Sequence, residues 1–178
     1  MDKKFELHVP SFEELSYRQK ILMQQTTMDY NKGHNIDFNG YHKETGCIDF
    51  PKTSWSKWYS FWINNKPKTY YAYIFNVSQN EYVGEVNLHY NVDKDWYEMG
   101  IIIENKYRGL GYSKSALKKL LEIAFYEYNA NAVHNRFESS RIKAKKLHIN
   151  CGFSVMKDSK GVIDLIINKD DYISKAAK

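Results

Sequence analysis

The stretch YRGLGYSKSAL, residues 107–117, places two glycines one residue apart, behind an arginine and ahead of a helical pattern. Such a stretch can turn the chain tightly into a helix, or it can cradle a phosphate. The first N–H groups of a helix have no intrahelical partner, and the macrodipole adds partial positive charge there. Gly109 and Gly111 would let the backbone approach a ligand without a Cβ in the way. Arg108 adds a permanent cation with a fork of donors, and Ser113 can cap the helix or donate. Together these residues form a candidate pyrophosphate seat. The common nucleotide signatures do not fit. The G-x-x-x-x-G-K-[ST] of a P-loop is absent, and a dinucleotide fingerprint would need glycine where Lys114 stands.

Other chemistries are poorly supported. The six histidines and two cysteines show no H-x-x-x-H or C-x-x-C spacing, so no metal site is expected. Cys47 and Cys151 lie far apart, which argues against a disulfide framework and for a reduced, cytoplasmic protein. A net charge of +5 suits an anionic ligand, but no dense basic block marks a nucleic-acid surface. The N-terminus lacks the apolar core of a signal peptide, and no apolar run approaches the roughly 20 residues that span a bilayer.

The elements that position the glycine stretch can be read from periodicity. FELHV, 5–9, alternates as a short strand. Ser11 and Glu14 fit a capping box for a helix over 11–26, with Leu15, Ile21 and Leu22 toward the core. Residues 29–53 read as a long loop, a kind of segment that is often functional. Trp55, Trp58, Tyr59 and Trp62 then recur on one helix face. That face either packs on the core or lines an acceptor pocket. Strands over 70–77, 82–90 and 96–104 follow on short breaks, as an antiparallel meander. From Ser113, a buried stripe of Leu117, Leu120, Leu121, Ala124, Phe125 and Tyr128 predicts a long helix. A strand near 132–137, a helix over 139–150 and strands near 153–157 and 162–168 complete the order. The tail, DDYISKAAK (170–178), is expected to be loosely held. With 178 residues, no repeat and no linker, the chain reads as one domain, 1–178.

The segment from Tyr97 to Phe153 resembles the acyl-CoA-binding core of the GNAT superfamily of N-acetyltransferases. That family carries [R/Q]-x-x-G-x-[G/A] between its fourth strand and the next helix, and Arg108, Gly111 and Ser113 stand in those positions. A second segment, AKKLHINCGF (144–153), resembles the family's helix ending in L-Y-x-x-x-G-F. Leu147, Gly152 and Phe153 match, His148 replaces the Tyr, and Arg141 stands where many members have Asn.

The resemblance implies an α/β (α+β) fold of the order β-α-α-β-β-β-α-β-α-β-β. Its central sheet would be mixed and mostly antiparallel, with helices on both faces. It implies an acetyl-CoA-dependent N-acetyltransferase that moves an acetyl group directly to the primary amine of a small molecule or protein. The alternative is a catalytically idle acyl-CoA-binding module that regulates a partner. Residues 70–168 would form the sheet and cofactor core, and 1–69 the acceptor side. By the same resemblance, Ile101, Ile102 and Ile103 would face the pantetheine and thioester. The backbone of Arg108, Gly109, Leu110, Gly111, Tyr112 and Ser113 would take the pyrophosphate. Dimers are frequent in the family, though no sequence feature here marks an interface.

Acetyl transfer needs a base, because an amine with a pKa of about 10 is mostly protonated at neutral pH. Glu98 is the candidate: a carboxylate in an otherwise apolar strand, where burial would raise its pKa. An ordinary solvated strand residue is the competing reading. Glu85 and Glu104 are weaker candidates. His148, where the family's general-acid Tyr often sits, is the candidate to protonate the departing thiolate, against a role as a core histidine. Cys151 reads as helix-end packing. The aromatic content of the first 70 residues leans toward a cationic or aromatic small amine.

Overall fold

The computed structural model of the chain describes residues 5–176. Seven strands form one sheet in the order β1-β2-β3-β4-β5-β7-β6. They are β1 Phe5–His8, β2 Thr69–Asn76, β3 Glu81–Asn91, β4 Trp96–Ile103, β5 Ala132–Glu138, β6 Ser154–Ser159 and β7 Val162–Asn168. The helices are α1 Leu15–Leu22, α2 Gln25–Met28, α3 Lys52–Trp62, α4 Tyr112–Glu122, α5 Ile142–Asn150 and α6 Lys169–Ala176. Every neighbouring pair of strands is antiparallel except β4 and β5.

Alternation along the meander decides which helices cover which face. Ala72 and Ile74 of β2, Val86 and Leu88 of β3 and Met99 of β4 join one cluster with Leu117, Leu120 and Leu121 of α4. These side chains are almost wholly buried. The opposite face carries Tyr71 and Tyr73, Glu85 and Asn87, and Ile102. It is covered by a second cluster built from Leu15 and Leu22 of α1, Met28, Cys47, Phe50 and Trp55. The aromatic stripe of α3 therefore packs. Trp55 stacks on Phe50 at 6.1 Å, and Trp58 meets Tyr71 edge-on at 4.6 Å.

Two local expectations, the first helix and the tail, need correction. The first helix is shorter than 11–26. Glu14 accepts the Ser11 N–H at 2.7 Å, but regular helix begins only at Leu15 and breaks before Gln25. The 29–53 loop is ordered by its own contacts: the Tyr41 hydroxyl donates to the Asn31 and His34 carbonyls at 2.5 and 3.0 Å. The tail is not loose as far as Ala176. It forms α6, whose Tyr172 stacks on Phe125 at 4.7 Å.

The parallel pair β4–β5 is short. Only Tyr97↔Val133 and Glu98↔His134 are in register. Just beyond, the Arg136 N–H is taken by the Asn135 side chain at 2.9 Å, and the strands part. The last shared pair is clamped. His134 donates through Nδ1 to Glu98 at 2.5 Å and through Nε2 to Asp164 of β7 at 3.1 Å. Its ring stacks on Trp96 at 4.6 Å, and Arg136 lies 3.8 Å from the same Asp164. Two carboxylate acceptors require both ring nitrogens to carry protons. Burial alone would lower the His134 pKa, but Glu98 and Asp164 outweigh it and the net shift is upward.

A raised imidazole pKa makes the clamp's contribution to stability full below the unfolded value of about 6.5. That contribution is lost as pH rises through the folded value. Urea midpoints measured from about pH 6 to pH 9 should therefore fall more steeply in the wild type than in His134→Gln. Parallel curves would show that the clamp does not titrate as described.

Candidate active site

Where β4 and β5 part, a cleft of about 870 Å³ opens between them, within the usual size range of small-ligand sites. Gly100 and Ile101–Ile103 form one wall, and Asn135–Phe137 with the start of α5 form the other. In an antiparallel pair, alternate residues direct N–H and C=O to the partner strand. On β4 the remaining groups turn toward the space β5 has left, so an extended ligand can pair with them as an added strand.

At one end the cleft reaches Arg108, Gly109, Tyr112 and Ser113, at the start of α4. Gly109 and Gly111 have φ of +77° and +90°, a region that disfavours residues with a Cβ. A Cβ built on either would meet nothing within 4 Å. No packing excludes a side chain here; a Cβ would instead fill space in front of the helix N-terminus. That suits a group with phosphates, such as coenzyme A. Leu110 points outward, half exposed, and Tyr112 is buried, its hydroxyl accepting from Asn76 at 2.7 Å.

Arg108 is used differently from a simple phosphate ligand. Its guanidinium donates to the carbonyls of Ile103, at 3.2 Å, and of Thr26 and Thr27, and pairs with Asp29 at 3.1 Å. It lines the cleft while fastening the α2 segment to the end of β4.

The two candidates for acid–base work sit in unlike places. Glu98 lies at the closed end of the splay and does not line the cleft. Burial pushes its pKa up, as expected from the sequence, but hydrogen bonds from His134 and from Trp96 Nε1 at 2.6 Å outweigh it, and the net shift is downward. The expectation of a raised pKa is therefore overturned. Glu104 is buried, accepting from Gln24 and Tyr17 at 3.1 and 3.4 Å, and it too is absent from the lining.

His148 does line the cleft, almost wholly buried. Its Nδ1 donates to the Ala144 carbonyl at 2.8 Å, and its Nε2 meets the Asn135 amide nitrogen at 2.9 Å. Because Asn135 Oδ1 already accepts the Arg136 N–H, the Asn135 amide group donates and His148 Nε2 accepts. The ring is thus held neutral, and burial lowers its pKa. This geometry favours a structural anchor over a store of protons. Cys151 packs against the main core cluster, and burial raises its thiol pKa, which disfavours the reactive thiolate.

Glu85, a weaker candidate from sequence, is the buried carboxylate that reaches the cleft. It stands opposite Ile102 in the β3–β4 register and accepts from Arg18 and from the Tyr71 hydroxyl. Arg18, Asn87, Asn135 and Tyr30 also line the cleft and were not singled out from sequence. Arg18 had a readable signal: it shares the Leu15 and Leu22 face of α1, where a charged residue is out of place. Tyr30 had none, being placed by the loop that precedes α3. Arg141 lies over the Tyr30 ring at 4.4 Å, linking the two sides of the cleft.

The neutral His148 yields a direct check. Its imidazole should titrate with a midpoint below 6.5 by NMR, since burial lowers its pKa. His148→Ala should cost about 2–4 kcal/mol in urea unfolding, from the lost ring and two broken hydrogen bonds. A midpoint above 6.5 would restore the general-acid role.

A family profile described as an acetyltransferase (GNAT) domain matches residues 21–154. Among solved structures, the chain resembles a Vibrio cholerae spermidine N-acetyltransferase in complex with CoA and spermine. Identity is 15%, covering 97% of this chain and 99% of that one, with a TM-score of 0.76. A spermidine/spermine N-acetyltransferase from Vibrio cholerae in complex with manganese ions is similar at 16% identity, covering 97% of each chain, with a TM-score of 0.72. No curated protein matches the chain. Among the described residues, no helix is long and apolar enough to cross a membrane. The matched profile spans most of the sequence and includes both parting strands and the glycine turn, so the chain belongs to the GNAT acetyltransferase family, acyltransferases that use acetyl-CoA.

Proposed function

We propose that this chain transfers the acetyl group of acetyl-CoA directly to a primary amine of a small molecule, with Glu85 receiving the acceptor. The observation that carries this reading is the splay itself. Ile101 and Ile103 turn backbone groups away from β3 toward the gap beside β5, and the same cleft runs to the glycine turn at the start of α4. Residues 108–113 would hold the pyrophosphate through backbone N–H groups, and Ile101–Ile103 the pantetheine. Bound acetyl-CoA supplies the acetyl group as a thioester. An N–H of β4 can polarise the acyl carbonyl as charge develops on its oxygen.

The acceptor must arrive beside Ile102, and Glu85 is its cross-strand neighbour. A carboxylate offers about four lone-pair positions. Arg18 and Tyr71 take two of these on Glu85, leaving others for an ammonium. Glu85 then orients the amine and accepts its proton, which can leave through the open cleft. Glu98 serves as the clamp of the β4–β5 junction. It acts by holding the splay in place, without touching the acceptor.

Three variants test these assignments. Gly111→Val should weaken acetyl-CoA binding at least about tenfold by calorimetry, from backbone strain and a Cβ before the helix N-terminus. Equal affinity in the folded variant would remove the cradle. Glu85→Gln should lower kcat/KM for the best amine by about 100-fold or more, with acetyl-CoA affinity nearly unchanged. Glu98→Gln should lower the urea midpoint while costing turnover only a few-fold. The reverse ranking of the two glutamates would restore Glu98 as the base. Tight acetyl-CoA binding with no release of CoA on any amine would identify an idle binding module instead.

A further inference from the structure

Arg18 is the unusual feature of the acceptor side. Its guanidinium carbon lies 5.0 Å from the Trp58 ring centroid, 5.3 Å from Phe50 and 5.5 Å from Tyr71. Three aromatic rings and a carboxylate make a good receptor for a cation. Here the protein's own arginine fills that receptor. Two of the aromatic residues that leaned the sequence reading toward a cationic amine, Phe50 and Trp58, are therefore occupied by Arg18.

The charges of the cleft point the same way. Two carboxylates line it, and each is already paired with an arginine, Glu85 with Arg18 and Asp29 with Arg108 at 3.1 Å. Arg136, Arg141 and Lys143 line it as well; Asp164 and Glu138, 3.8 Å from Arg136 and Arg141, are not among the described lining residues. A polyamine carries two or more ammonium groups and needs carboxylates free to receive each. This cleft offers the remaining lone pairs of Glu85 and little else.

Arg18 itself is only partly committed. Both of its hydrogen bonds, to Glu85 and to Tyr71, leave from Nη1. Its Nε is buried and has no hydrogen-bond partner among the described residues. The Nε–Nη2 edge is the pair of parallel donors that matches a carboxylate oxygen for oxygen. A buried, unpartnered guanidinium N–H is costly unless something satisfies it.

We infer that Arg18 and Glu85 together select a compact amino acid as the acetyl acceptor, its ammonium on Glu85 and its carboxylate on the Nε–Nη2 edge of Arg18. The inference rests on the acetyl-transfer reading above and names the acceptor of that same site. The two partners are adjacent because one guanidinium joins them, so amine and carboxylate must be close together in the acceptor. In the reaction the ammonium loses its proton toward Glu85. The new bond is N–C to the acetyl carbonyl, the C–S bond breaks, the nitrogen gives its second proton to solvent, and the thiolate takes up one proton from solvent. Arg18 is a specificity residue: it binds the end of the acceptor that does not react.

The test is a matched panel. Glycine, β-alanine and γ-aminobutyrate are compared with ethylenediamine, propanediamine and putrescine, each pair differing chiefly in carboxylate against ammonium. CoA release is followed with acetyl-CoA at saturation. At least one amino acid should exceed its matched diamine in kcat/KM by about tenfold or more. Arg18→Gln should abolish that preference, and Arg18→Lys, which keeps the charge and loses the fork, should retain only part of it. Calorimetric titration of the preferred amino acid into the CoA-loaded protein supplies a readout independent of turnover. Circular dichroism separates an unfolded variant from a folded one with altered choice.

The outcomes are distinguishable. Efficient acetylation of the diamines over the amino acids overturns the inference and leaves the acetyl-transfer reading intact. A preference for amino acids that survives in both folded Arg18 variants also overturns it. Arg18-dependent binding of an amino acid with no CoA release would uphold the receptor and sink the acetyl-transfer reading.

Discussion

Two residue pairs hold β4 to β5, and the site exists because there are only two. If the parallel pairing continued, β5 would satisfy the backbone groups of Ile101 and Ile103 and no cleft would form. The strands stay joined at one end through a charged clamp, Glu98–His134–Asp164, backed by the Trp96 ring. They stay apart at the other because Asn135 uses its own side chain to satisfy the next backbone N–H and to hold His148. A sheet that is continuous elsewhere thus supplies unpaired backbone at one place. The α4 N-terminus lies in line with that place, since the chain leaves β4 and enters the helix within a few residues.

The arginines around this opening are mostly fasteners. Arg108 ties the α2 segment to the end of β4, Arg18 ties α1 to β3, and Arg141 caps Tyr30 across the cleft. Each joins a part of the N-terminal region to the sheet or to the start of α5. On the proposed reading, the cofactor side and the acceptor side are therefore built by the same contacts. The likeness to polyamine acetyltransferases is one of fold, at 15–16% identity. The pairing of both cleft carboxylates with arginines is a property of this chain.

Much of the architecture was readable from periodicity. The meander, α4 and the final strand follow from alternation and a strong apolar stripe, and the glycine turn announced the helix N-terminus. The site was less readable, for identifiable reasons. Glu98 looked like a base because its neighbours in sequence are apolar, but its neighbour in space is His134, thirty-six positions away. Polar residues 85 and 87 of β3 alternate with apolar ones and so resemble a solvent face, whereas α1 and α3 cover that face at these positions. His148 was placed on the cleft by the family resemblance, but its tautomer depends on Asn135, which only the folded chain brings to it. Long-range pairs of this kind leave no spacing in the sequence.

The central claim is that acetyl-CoA enters as an added strand along β4 and ends at the glycine turn. Amide hydrogen exchange with and without acetyl-CoA tests it most directly. The account predicts new protection at Ile101 and Ile103 and at residues 108–113, with Ile102, already paired to β3, and Tyr97 and Glu98, beside β5, little changed. Protection that leaves β4 untouched while the ligand is bound would contradict it.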